Sequence, residues 1–313
     1  MRISHSIESF AGSKNVVLTT GTFDGVHKGH RVIIDRLCRI ARQIDGESVL
    51  LTFDPHPRKV IHPNEPISLL STVEEKVDLL AKTGLDHLVI HPFTLEFSRT
   101  TSRDFIQKLL VEQLRVKRLV IGYDHHFGRN REGSFEHLLA YGSNYGFEVE
   151  EIPVQEVEQV AVSSTKIRNA ISNAEVEKAR EWLGYSYFIS GFVKQGRGIG
   201  RTIEFPTANI TPSSPSKLIP GNGVYLVKVE ILDTNEDFWG MCNIGVNPTV
   251  GGSERSVEVH VFDFSGNLYN RQLRVSFLQK LRNEIKFNSL DSLKNQLNED
   301  AEISKSLISG YTL

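Results

Sequence analysis

Short apolar runs alternate with amphipathic stretches from residue 16 to about residue 152. VVLTT (16–20) is a continuous apolar run that stops at a glycine, the pattern of a strand buried on both faces. Ile33, Leu37 and Ile40 then recur at i, i+4 and i+7, which predicts one buried helix face. SVLLTF (48–53) predicts a second strand. Ser71 and Glu74 have the spacing of a capping box, and the VEEKVDLLAKTG that follows predicts a helix ending at Gly84. HLVIHPF (87–93), RLVIGYD (118–124) and FEVEEIP (147–153) read as strands, separated by helical SRDFIQKLLVEQL (102–114) and SFEHLLAYGSNYG (134–146). Repeated strand–helix units predict a Rossmann-like α/β domain, a parallel sheet with helices on both faces. Ligands of such sheets bind beyond the carboxyl ends of the strands.

Near Gly184 the pattern changes. YFISGFVKQG (187–196), GVYLVKVEIL (223–232), FWGMCNIG (238–245), SVEVHVFDF (256–264) and QLRVSFLQ (272–279) are short and rich in Val, Ile and aromatics. Gly, Pro and Ser separate them, as in ITPSSPSKLIPGNG, which predicts an antiparallel β-sandwich or barrel. Leu290, Leu293 and Leu297 have helical spacing and predict a C-terminal helix. The change of texture divides the chain into residues 1–184 and 185–313, with no internal repeat.

Composition narrows the classes. At 313 residues, with 39% hydrophobic and 24% charged residues, the chain has the balance of an ordinary soluble protein of two domains. Lys plus Arg number 36 against 38 Asp plus Glu, a formal charge of −2, which argues against a dedicated nucleic-acid binder. Two distant cysteines, Cys38 and Cys242, make no disulfide framework and fit no zinc spacing, as expected of a reducing compartment. MRISHSIESFAGSKN lacks a signal-peptide core, and no apolar run approaches the ~20 residues that span a bilayer. The expected location is the cytoplasm, without a membrane or nucleic-acid partner; a homo-oligomer is compatible with the sequence.

The chemistry concentrates in GTFDGVHKGH (21–30), where the first strand turns into the first helix. Gly21, Gly25 and Gly29 let backbone approach a ligand without a Cβ in the way. The helix N-terminus offers free N–H groups and partial positive charge to a phosphate. His27 and His30, three apart, can point the same way, and Lys28 adds a cation. Together they suit charge developing on a phosphoryl group. The plainer alternatives are a glycine-rich turn with incidental histidines, or a zinc pair, for which no third ligand is evident.

This string resembles the signature of the HxGH nucleotidyltransferase superfamily. The resemblance implies attack of a phosphate-bearing acceptor on the α-phosphate of a nucleoside triphosphate, with Gly21, Thr22, Phe23, Asp24, Gly25, Lys28 and the two histidines at the nucleotide. The superfamily's second phosphate-binding motif is resembled by VSSTKIR (162–168), which implies roles for Ser163, Ser164, Thr165, Lys166 and Arg168. GRTIEFPTANI (200–210) is similar to the G-R-x-x-G-F-P-T-A-N motif of riboflavin kinases. NIGVNPTVGG (243–252), VEVHVFDFSGNLYN (257–270) and LRNEIKFNSLDSLKNQL follow in that family's order. FDPHP (53–57) and GYDHHFGRNREG (122–133) resemble flavin-side motifs of the matching adenylyltransferase, with Asp124 at the flavin–adenine site.

Essentially the whole chain thus resembles the bacterial bifunctional riboflavin kinase/FAD synthetase family. That resemblance implies riboflavin, FMN, FAD and ATP as ligands, ATP as co-substrate at both sites, and Mg²⁺. It places the metal at Thr207 and Asn209, two hard oxygen donors on one face of a strand. It makes Glu258 the general base on the ribityl hydroxyl, and the glycine-rich GFVKQGRGIGR, with Gly198, Gly200 and Arg201, the cover over nucleotide phosphates. Two departures stand out. Glu204 replaces the motif's glycine, so a positive φ there would strain it. His125 replaces the usual phenylalanine after Asp124. The competing expectations are another HxGH transferase fused to an unrelated barrel, and a flavin-binding regulator without catalysis.

Overall fold

The computed structural model describes residues 1–122, 127–129, 132–152, 162–196, 199–249 and 252–311. Packing divides the chain into two compact units, Met1–Ser164 and Thr165–Leu313.

The first unit is a parallel sheet of six strands: β1 (Arg2–Ser4), β2 (Val16–Thr20), β3 (Glu47–Asp54), β4 (His87–Pro92), β5 (Val116–Gly122) and β6 (Glu148–Ile152). Their order is β1-β4-β3-β2-β5-β6, parallel throughout, with β2 and β3 at the centre. All five residues of β2 are buried, as its unbroken apolar run requires. The helix Lys28–Gln43 packs on β2, β3 and β5 through Ile34, Leu37, Cys38 and Ala41, a face turned slightly from the expected one, since Ile33 is only half-buried. The predicted helix at 102–114 begins with one turn, Ser102–Asp104, and continues as π-helix over Phe105–Gln113. Its i→i+5 winding closes with Leu114 N–H on the Leu109 carbonyl at 2.9 Å, and brings Ile106, Leu110 and Leu114 to the core at intervals of four.

The capping box at the next helix is shifted by one residue from its expected place. Thr72 caps Val73–Ala81 and exchanges hydrogen bonds with Glu75, at 3.2 and 3.0 Å. Ser71 and Glu74 satisfy the same spacing, but Ser71 is spent elsewhere, on the loop after β2.

The second unit is a closed antiparallel barrel. Strands β7 (Phe188–Lys194), β8 (Ala208–Pro212), β9 (Gly223–Ile231), β10 (Glu236–Thr249), β11 (Gly252–Val261) and β12 (Gln272–Arg282) close in the order β10-β11-β8-β7-β12-β9. The fold class expected from the sequence, an α/β parallel sheet followed by an antiparallel barrel with a C-terminal helix, is the one observed. That helix, Leu290–Ile308, sets Leu293 and Leu297 against Ile203, Phe205, Met241 and Phe262. Arg282 holds buried Asp300 of the same helix through two hydrogen bonds, 2.8 and 2.6 Å. Two helices, Ser164–Ser172 and Val176–Leu183, precede the barrel; Gly221 N–H bonds the Ile171 carbonyl and Lys280 N–H bonds Glu177. The texture change in the sequence coincides with the end of the second of these helices, capped by Gly184 at φ +79°.

Candidate functional sites

The first site is built where β2 hands over to the helix Lys28–Gln43. The loop between them is strained: Phe23 has φ +46°, Gly25 +79° and Val26 +37°. Left-handed backbone at a β-branched residue is costly and persists only where surroundings impose it. They do so here from below. The Asp24 carboxylate, 2% exposed, accepts hydrogen bonds from Leu70 N–H and Ser71 N–H, both at 3.0 Å, and from the Ser71 hydroxyl at 3.2 Å. That hydroxyl in turn accepts from Gly25 N–H at 3.0 Å. Lys76 Nζ donates to the Thr22 carbonyl at 2.7 Å and to Thr52 Oγ1 at 3.3 Å, and Thr52 Oγ1 donates to the same carbonyl at 3.2 Å.

The two histidines come together on top of this base. His27 is the N-cap: its Nδ1 accepts from His30 N–H at 3.3 Å, which places its ring proton on Nε2 in the neutral form. The imidazoles stack with centroids 3.6 Å apart and planes 16° from parallel, and Phe23 lies against His30 at 4.9 Å. Burial holds the His30 pKa well below the usual histidine value, and repulsion from His27 and Lys76 lowers it further. Its Nδ1 is buried and makes no hydrogen bond among the described residues. The first helical turn carries no acidic residue, and exposed Lys28 stands at its first position. A helix end that is already positive thus carries a lysine and no acid beside two imidazoles, an arrangement completed by an anion.

The second predicted phosphate motif meets this loop: Ser164 Oγ donates to the Asp24 carbonyl at 3.2 Å. Ser163 precedes it, and Thr165, Lys166 and Arg168 follow on the helix that Ser164 begins. Asp124 and His125 lie outside the described residues, as does Gly198, and the Arg201 side chain is not described.

Gly29 has a specific steric task. A Cβ there would stand 3.2 Å from His27 Cε1 and 3.3 Å from Nδ1. In a helix, Ala is ordinarily favoured over Gly by about 1 kcal/mol. Gly29→Ala therefore separates the two effects: thermal stability should stay about level, because disturbing the His27 cap offsets the propensity gain, while FAD formation from FMN should fall at least about tenfold as His27 is pushed aside. Melting curves with a chromatographic FAD assay read both, and unchanged FAD formation would remove His27 placement from the account.

The barrel carries the other predicted residues. Asn209 and Glu258 are directly opposed across the β8–β11 ladder, and Asn243 faces Glu258 from β10. Opposed residues share a face, so the three side chains form a row. Thr207, two residues before Asn209, lines a cavity of about 260 Å³ whose wall also includes Phe264, Gly266, Asn267, Leu268 and Tyr269. Asn209 and Glu258 are the strand neighbours of the lining residues Ala208 and Val259, so their side chains leave the strands on the opposite face and do not line this cavity. The sequence motifs contained that wall without marking it as a wall. A Cβ on Gly196 would fall 2.1 Å from Asn209 Nδ2, so glycine lets the chain pass directly over this side chain. His260 Nδ1–H donates to the Pro206 carbonyl at 2.9 Å and ties β11 to the turn before Thr207.

Glu204, which stands where the motif has glycine, adopts a positive φ of +69°, the strained case for a glutamate. Its carboxylate pairs with Lys294 of the C-terminal helix at 2.6 Å, which also lowers its pKa. Among the described residues no group of three or more His, Cys, Asp or Glu side chains could hold a metal. A metal near Thr207 and Asn209 would need oxygens from a substrate as well. Nor is any helix among the described residues long and apolar enough to cross a membrane.

Comparison with known proteins bears on both sites. Residues 10–166 match the FAD synthetase family and residues 183–308 the riboflavin kinase family. A bifunctional riboflavin kinase/FMN adenylyltransferase of Haemophilus influenzae is 39% identical over 92% of this chain and 92% of its own length. Its namesake in Escherichia coli K12 is 38% identical over 93% and 92%. A crystal structure from Streptococcus pneumoniae, described as a macrolide-efflux protein, superposes with a TM-score of 0.87 at 30% identity, covering 97% of this chain and 98% of that one. With each family matched on one side of the chain and relatives aligned almost end to end, the chain belongs to the bifunctional riboflavin kinase/FMN adenylyltransferase family.

Proposed function

We propose that the chain makes FMN from riboflavin and then FAD from FMN, each step consuming one ATP, the first in residues 185–313 and the second in residues 1–184. The observation that carries the reading is the cationic first turn of Lys28–Gln43, with two stacked imidazoles and no acid, on a strained loop at the carboxyl end of β2. Such a place receives phosphates.

In the barrel, the riboflavin 5′-hydroxyl attacks the γ-phosphorus of ATP, its proton goes to the Glu258 carboxylate, and ADP leaves. Thr207 Oγ1 and Asn209 Oδ1, two residues apart, are hard oxygen donors that would suit Mg²⁺ completed by nucleotide oxygens; when bound, the ion would offset phosphate charge. Gly200 and Arg201, with the segment around Gly196, cover the phosphates. In the sheet domain, an FMN phosphate oxygen attacks the α-phosphorus of a second ATP and pyrophosphate departs. His27 and His30 donate toward the charge that builds on the phosphates, while Lys28, Ser163, Ser164, Thr165, Lys166 and Arg168 hold the triphosphate. Gly21, Thr22, Phe23 and Gly25 shape the floor, and Asp24 fixes it through Leu70 and Ser71. Asp124 contacts the flavin–adenine side. No covalent enzyme intermediate is needed, because positioning and preset charge are sufficient for both displacements.

The test is direct. Purified protein given riboflavin, ATP and Mg²⁺ should accumulate FMN and then FAD, separated by chromatography. Flavin binding without turnover would favour a regulator. FMN supplied without conversion to FAD would favour a different acceptor at the first site.

A further inference from the structure

Lys76 is an anomaly in its surroundings. It lies in the helix Val73–Ala81 on the same buried face as Leu79 and Leu80, and is only 7% exposed. An ammonium there is expensive, and an apolar side chain would pack the position without that cost. Its hydrogen bonds go to neutral oxygens, the Thr22 carbonyl and the Thr52 hydroxyl, and it forms no ion pair among the described residues. Asp24 and Asp54 raise its pKa from a distance, but less than burial lowers it. Asp24 is itself occupied by the N–H groups of Leu70 and Ser71. The charge therefore stays uncancelled by contact, directly beneath the loop that carries the two histidines.

We propose that Lys76 is a positioning residue for adenylyl transfer, which clasps the Thr22 carbonyl from below and supplies a buried positive charge to the site that receives the ATP phosphates. The clasp fixes the turn from which Phe23 leans on His30. The charge repels a proton on His30, keeping that imidazole neutral until the phosphates arrive. The charged groups that act on His30 are His27 and Lys76, and Asp24 and Asp54 act on Lys76; Lys28 and Arg31 are the other basic residues of the first turn of the His30 helix.

The inference rests on adenylyl transfer taking place at this loop, and the full-length chain distinguishes the two. If the wild-type chain forms no FAD from supplied FMN, the functional reading fails before any variant is made. Given wild-type activity, Lys76→Met should lower kcat for FAD formation about 10- to 100-fold, while FMN formation by the same polypeptide stays within twofold. Titration of His30 should give the pH–rate profile of FAD formation a limb that disappears in His30→Ala, and in Lys76→Met this limb should move to higher pH, because removing a neighbouring cation raises the His30 pKa whichever protonation state is active. Lys76→Arg keeps the charge and should leave that limb at its wild-type position, with kcat between the two. Thr52→Val, which removes one acceptor of the ammonium and one donor to Thr22, should lower kcat several-fold without moving the limb. FAD formation within threefold of wild type in Lys76→Met, or a lowered kcat with an unmoved limb, overturns the proposal. Should Lys76→Met fail to fold, unchanged kcat in Thr52→Val overturns it, and a several-fold loss there supports it.

Discussion

Replacing His30 should lower FAD formation from FMN by about 10²–10³-fold, the usual loss when one preset donor is removed from a developing oxyanion. FMN formation from riboflavin should stay near normal, since the barrel carries that chemistry. His30→Ala is a cleaner probe than His27→Ala, because His27 also caps the helix through Nδ1 and its truncation would cost about 1 kcal/mol of stability. His27→Asn keeps a capping oxygen and removes the imidazole, so His30→Ala combined with His27→Asn empties the site of imidazoles with the helix start intact. Equal loss of both activities would mean a folding defect and would sink the assignment. Proton uptake gives a second readout. His30 is neutral at neutral pH because burial, His27 and Lys76 depress its pKa. Bound triphosphate brings opposite charge and pulls that pKa up, so ATP binding should take up protons, visible as a buffer-dependent heat that disappears in His30→Ala. The same shift has a stability consequence. The unfolded chain binds the His30 proton more readily than the folded one. This contribution to stability is therefore present above the ordinary histidine pKa and is lost progressively as pH falls from there through the depressed folded value. His30→Ala should flatten that loss.

The parts of this site differ in how far the sequence reveals them. The strand VVLTT and the amphipathic helix after it are written in local pattern, so the place where they meet follows. The direction of the Asp24 side chain does not. Asp24 reads as a ligand contact in GTFDG, yet its carboxylate is turned inward onto Leu70 and Ser71, two N–H groups from a segment far along the chain. Ser71-x-x-Glu74 and Thr72-x-x-Glu75 satisfy the capping pattern equally well. Only the tertiary demand on Ser71 breaks the tie in favour of Thr72. Lys76 left a visible trace, a lysine at the spacing of Leu79 and Leu80, but amphipathic patterning alone takes it for the edge of the polar face. The edge strand Arg2–Ser4 has three residues, too few for any period to register. Glu204 is the opposite case. One residue out of place in a glycine-bearing motif marked where a left-handed backbone would cost most, and the structure places Glu204 at φ +69°. The register that sets Glu258 opposite Asn209 belongs to a ladder between distant strands, and no local signal carries it.

That register makes Glu258 the residue on which the kinase half can be tested most sharply. Glu258→Gln keeps the side-chain volume and the row with Asn209 and Asn243, and removes only the capacity to take a proton. A positioned general base typically contributes ~10²–10⁴-fold, so riboflavin phosphorylation should slow by about that factor. The KM values for riboflavin and ATP should change little, because neither substrate is held by this charge. FAD formation from supplied FMN should be unaffected, which makes the same preparation its own control for folding. Barrel integrity has an internal marker as well. Cys242, fully buried next to Asn243, has its thiol pKa pushed up chiefly by burial and further by the Glu258 charge. It should stay unreactive toward thiol reagents in the variant, since burial, the larger cause, is untouched. Rapid labelling of Cys242 would assign the lost turnover to an opened barrel. Kinase turnover within a few-fold of wild type, with Cys242 protected, would mean that another group accepts the ribityl proton, and the row of Asn209, Glu258 and Asn243 would then serve binding alone.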